Sequence, residues 1–144
     1  MTPESAKFIE HAHVVVARAD VMLTVKLNED AARSAYLASF HVAQAYIFER
    51  TGKTSKSHHG VQTEFFRLTK DDARVDPLLR RFLSQSYIFK SVADYFTGAE
   101  AVTSATQAAE AVATSKRFVA HFAGLVPLPS SGSDGDSGPA TSDT

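Results

Sequence analysis

The stretch NEDAARSAYLASFHVAQAYIFERTG, running from Asn28 to Gly52, decides the fold class. Tyr36, Phe40, Ala43 and Ile47 recur at intervals of three and four, which places one apolar stripe along a helix. Asn28 is the expected N-cap of that helix and Gly52 its stop. The same period extends in both directions. Upstream, Thr2-Pro3 opens a helix with Phe8, Ala12, Val15, Ala19, Met22 and Leu23 inward, widened by Ile9 and Val16. Downstream, Gly52-Lys-Thr-Ser-Lys-Ser57 is a polar loop. A short third helix follows Ser57, with Val61, Phe65 and Leu68 inward. Asp76-Pro77 opens a fourth, whose stripe is Leu78, Leu79, Phe82, Leu83, Ser86, Phe89 and Val92/Ala93, ending at Gly98. Ser104-x-x-Gln107 has the form of a capping box before a last, alanine-rich helix carrying Ala105, Ala108, Val112, Val119 and Phe122. No period-2 alternation is present, so no sheet is expected. The predicted fold is all-α: an up-and-down antiparallel bundle of four to five helices.

The chain has 144 residues, 44% hydrophobic and 22% charged, with no Cys, no Trp and a formal net charge of −1. That length supports one domain with a single core. Without cysteine there is no disulfide framework, thiolate zinc site, iron–sulfur cluster or cysteine nucleophile. No apolar run is long enough to span a membrane, and the N-terminus lacks the basic-then-apolar layout of a secretory signal. The expected compartment is the cytoplasm. Residues 130–144, SSGSDGDSGPATSDT, have no large apolar side chain and are expected to be a disordered tail beyond a body at 1–129. Setting aside the tail's three acids leaves 15 bases against 13 acids in the body. Residues 50–90 are the most basic part, with nine Lys/Arg against four Asp/Glu.

Few catalytic patterns survive inspection. Glu10-x-x-His13 has the spacing of a di-iron bundle ligand pair, but no second Glu-x-x-His exists to complete it. His11 and His13 lie on different sides of a helix and cannot chelate one ion. His41, beside Phe40, is expected at the core edge with its polar needs met. There is no nucleophile elbow, no complete phosphate-binding loop and no dinucleotide fingerprint. Neither a metal nor a cofactor is expected. The segment from Arg50 to Lys90 carries more information. Lys53, Lys56, His58 and His59 crowd one loop and the start of the next helix, where unpaired N–H groups and the helix dipole favour phosphate. Arg81 and Lys90 on the following helix extend the positive field. The six are candidate phosphate- or nucleotide-binding residues.

Several stretches together resemble the small HEPN proteins, the "higher eukaryotes and prokaryotes nucleotide-binding" superfamily. Arg33-Ser-Ala-Tyr-Leu-Ala-Ser-Phe-His-Val-Ala-Gln-Ala-Tyr-Ile47 is similar to their signature helix, and Lys56-Ser-His-His-Gly-Val61 to their Lys-Thr-His-x-Gly-Val loop. Ala93-Asp94-Tyr95 resembles the end of their fourth helix, and Ala111 to Phe122 their closing helix. The resemblance spans about residues 5–124.

It implies an antiparallel bundle that homodimerises, binds nucleotide or RNA, and pairs with a minimal nucleotidyltransferase as a toxin–antitoxin component. Catalytic members of the superfamily are metal-independent RNases. They use an Arg followed after four to six residues by a His, with His as acid or base and Arg stabilising phosphate charge. That pattern is absent here. Lys53 before His58 is the nearest match, and a Lys lacks the planar fork of Arg. Three functions follow as expectations. One is a phosphate-binding HEPN protein, another an RNase with an atypical site at His58 or His59, and the third a non-catalytic dimeric interaction module. Tyr87, Phe89, Tyr95 and Phe96, crowded into ten residues, hint at association.

Overall fold

The computed structural model describes residues 1–95 and 102–129. Gly98, Phe96 and the expected tail at 130–144 lie outside the described residues. Six helices occur among the described residues: α1 (Pro3–Thr24), α2 (Asn28–Thr51), α3 (His58–Thr69), α4 (Pro77–Gln85), α5 (Tyr87–Tyr95) and α6 (Ala105–Leu125). No strand accompanies them among those residues.

Hydrogen bonds between helix ends fix the directions. The Thr2 N–H donates to Glu49 Oε1 at 3.0 Å, so α1 starts beside the end of α2. The Thr103 N–H donates to Glu29 Oε2 at 2.6 Å, and Arg50 donates to the carbonyls of Leu125 and Val126. Helices α2 and α6 are therefore parallel and start and finish together. Between them α4 and α5 run the opposite way, from the Asp76 N–H on His121 Nε2 to Asp94 beside Arg33. This is an up-and-down bundle of α1, α2, α4–α5 and α6, with α3 as a short helix packed on α2 and α4.

The caps show where local chemistry is decisive. Thr2, Ser57, Asp76 and Ser104 each accept a backbone N–H of the helix they precede, and Ser104 with Gln107 completes a capping box. Asn28 is not a cap. It is the first helical residue of α2, Leu27 precedes it, and no side chain caps that end. The carboxylate of Glu29 instead reaches the start of α6. Gly52 ends α2 at φ 75°, the left-handed conformation that glycine adopts without strain.

The predicted fourth helix is two helices. At Ser86 the chain makes a tight turn, with the Phe89 N–H donating to the Ser86 carbonyl and the buried Ser86 hydroxyl to that of Leu83. A serine bonding its own backbone competes with the helical ladder, and no proline or glycine marks the place in the sequence. Leu78, expected inward, is 70% exposed, because α4 turns Leu79, Phe82 and Leu83 to the core.

The core has two parts. Around Tyr46, Phe65, Phe118 and Phe122 it is aromatic, with the Phe118 and Phe122 rings 4.5 Å apart. At the other end Ala19, Ala31, Ala32, Ala35, Ala108 and Ala111 let α1, α2 and α6 approach closely. Between the two parts, Ser39 and Ser115 meet at 3.0 Å and both donate to the Ala35 carbonyl, so a buried polar pair is satisfied.

Candidate functional site

The loop from Lys53 to Ser57 folds back on the start of α3. Ser57 Oγ accepts the Gly60 N–H at 2.9 Å, and Ser55 Oγ accepts the Ser57 N–H at 3.1 Å. A Cβ on Gly60 would lie 2.4 Å from Ser55 Oγ and 2.7 Å from Ser57 Oγ, so only glycine allows this approach. Lys53, Lys56 and His59 are all exposed on this turn. Among the described residues none of the three is within ion-pair distance of a carboxylate. Lys53 lines a cleft of about 350 Å³ with Thr51, Thr54, Ser55, Gly60 and Glu64, and the Glu64 carboxylate is taken by Arg67 at 2.7 Å.

His58 turns the other way. Its ring packs against Phe40 at 4.4 Å and between Tyr36 and Tyr87 at 5.5 and 5.7 Å. Its Nδ1 is 2.9 Å from the Tyr36 hydroxyl, which also accepts the Gln62 amide at 3.2 Å. The phenol oxygen thus joins His58 and Gln62 in one hydrogen-bonded chain, and the direction of the Tyr36–His58 bond follows from which ring nitrogen carries the imidazole hydrogen. Burial, then the charges of Lys90 and Arg33, lower the His58 pKa below the ordinary histidine value, so the neutral form is favoured. Burial raises the Tyr36 hydroxyl to about 12, keeping it protonated.

The six sequence candidates do not form one cluster. Lys53, Lys56 and His59 share the exposed turn, and His58 is joined electrostatically to Lys90 on α5. Lys90 is buried, and its ammonium is held by Asp94 at 2.7 Å, which raises its pKa through that hydrogen bond. Arg81 lies exposed on α4 and is not brought into contact with His58. Three residues of the His58 neighbourhood lie outside the basic segment 50–90 and escape a reading confined to it: Arg33, Tyr36 and Asp94. Asp94 accepts Arg33 Nε at 2.6 Å on one oxygen and Lys90 on the other. Arg33, Tyr36 and Phe40 share a face of α2 at helical spacing, a signal available in the sequence but masked by the apolar stripe it belongs to.

His41 sits at the core edge, as expected, with Nδ1 donating to Gln44 Oε1 at 3.0 Å. His11 is exposed and stands edge-on to His41 at 4.4 Å. Among the described residues no three His, Asp or Glu side chains converge as a metal-binding group. No described helix is long and apolar enough to cross a membrane.

The family model of the HEPN domain matches residues 5–124. The chain belongs to the HEPN family. No curated protein matches it. In this HEPN domain, the match takes in every candidate residue from Lys53 to Lys90 as well as Arg33, Tyr36 and Asp94.

Proposed function

We propose that this HEPN domain is a binding protein for the phosphate of a nucleotide or RNA. In this proposal it acts as a homodimer and as the partner of a minimal nucleotidyltransferase in a toxin–antitoxin type pair. The observation that carries the binding reading is the turn at the start of α3. Lys53, Lys56 and His59 are exposed there and in no ion pair among the described residues, next to a helix end whose N–H groups attract anions. A partner surface is supported by the outer side of α4 and α5, where Leu78, Ile88 and Tyr95 are exposed.

The test is a titration of the protein with ATP followed through the His58 and His59 ring signals by NMR. Both should move, and the movement should weaken as salt is raised. Unmoved signals at millimolar ATP overturn the reading in favour of the interaction module. Light scattering at micromolar protein should give twice the chain mass, and a monomer mass overturns the dimer.

A second reading, metal-independent RNA cleavage, is favoured by one observation: His58, held neutral, lies in the field of Arg33 and Lys90. A neutral imidazole near cations has the parts of a base and a phosphate clamp. Cleavage of RNA that survives EDTA and disappears in His58→Ala would establish it. Intact RNA under those conditions leaves the binding reading standing.

A further inference from the structure

The largest of the grooves described here lies between α1 and the C-terminal half of α2, away from His58. About 520 Å³ in volume, it is lined by Phe8, His11, His41, Gln44, Phe48 and Thr54, with Glu4 and Lys7 also on its wall. That volume falls within the range of small-molecule sites. Gln44 is only 9% exposed, yet half of its amide is unused. Its Oε1 accepts from His41, while its Nε2 has no acceptor among the described residues. A buried amide donor without a partner is costly, and a ligand acceptor would offset that cost. The surrounding rings are flat: Phe8 and Phe48 stand 6.4 Å apart, and His11 meets His41 edge-on. Burial lowers the His41 pKa, and the Gln44 bond and the nearby His11 act as smaller opposing and reinforcing effects. The groove also has a neighbour of complementary character. Thr54 lines both this groove and the Lys53 cleft, so the two share a wall.

We propose that the α1–α2 groove is the subsite for a nucleobase, whose ring packs against Phe8 and Phe48 and accepts a hydrogen bond from Gln44 Nε2. This rests on the phosphate reading above, with the phosphates reaching Lys53 past Thr54. The ring is the part of a nucleotide that the basic turn cannot recognise. The groove supplies stacking surface and one directional donor, which is what a base edge requires.

The experiment uses the full chain with three probes: AMP, adenosine and inorganic tripolyphosphate. In calorimetric titrations Gln44→Leu should weaken AMP roughly tenfold and leave tripolyphosphate unchanged. The Lys53→Ala/Lys56→Ala variant should do the reverse, weakening tripolyphosphate and leaving adenosine unchanged. On the unmodified chain, adenosine should move the His11 and His41 ring signals, which keeps the test independent of how Gln44→Leu folds. Tripolyphosphate binding with no response of His11 or His41 to adenosine or AMP overturns the base subsite and spares the phosphate reading. No binding of any probe overturns both. Signals of His11 and His41 that shift with protein concentration alone place a second copy in the groove and also overturn the proposal.

Discussion

His41 and His58 are both held below the ordinary histidine value of 6.5, chiefly by burial. The unfolded chain therefore takes up protons before the folded one as pH falls through that value. Their contribution to stability is complete above 6.5 and declines below it, towards their folded values. Urea midpoints should fall between about pH 7.5 and about 5.5, and the fall should shrink in His58→Gln and in His41→Gln. A midpoint that stays level over that interval contradicts the assignment. The carboxylates of Asp72 and Asp94, held low by Arg74 and by Lys90, act in a separate window that begins near 3.8 and extends downward. Gly60 is the second sensitive position. Gly60→Ala must push Ser55 and Ser57 aside, costing about 1–3 kcal/mol by denaturant unfolding and weakening phosphate binding at the turn.

At the scale of elements, the meeting of α2 and α6 depends on small side chains. Ser115 is fully buried against Ser39 and the Ala35 carbonyl. Ser115→Ala should cost about 1 kcal/mol, the value of one hydrogen bond, whereas Ser115→Leu should cost several times more by forcing the helices apart. Equal midpoints for the two variants would show that the close approach is dispensable. Helix boundaries set by polar caps were legible beforehand, because Thr2, Ser57, Asp76 and Ser104 act on their immediate neighbours in the chain. The Ser86 turn and the uncapped start of α2 were not. The Ser86 turn is local, a serine bonding its own backbone with no proline or glycine to announce it, whereas the start of α2 is settled by a contact with a residue distant in sequence, Glu29 with Thr103, of which periodicity carries no trace. The same distinction holds for the site. The exposed turn of Lys53, Lys56 and His59 is a local cluster and was legible. Arg33 and Asp94, 61 residues apart, meet only through the packing of α5 on α2.

For the molecule as a whole, Arg50 joins its two central helices at one end. Its guanidinium lies 3.5 Å over the Tyr46 ring and donates to the last carbonyls around Leu125 and Val126. Arg50→Ala should lower unfolding stability by about 2–3 kcal/mol without altering the helical content seen by circular dichroism. An unchanged midpoint would falsify that role. The parallel pairing of α2 with α6 also bears on how the chain is born. Ser115, the partner of both Ala35 and Ser39, lies 80 and 76 residues further along, so a ribosome must finish nearly the whole body before the α6-facing side of α2 is covered. Until then the alanine and aromatic surface that α6 covers stands open to water. Chains interrupted before about Phe122 should collect in the insoluble fraction or on chaperones, while full-length chains escape both.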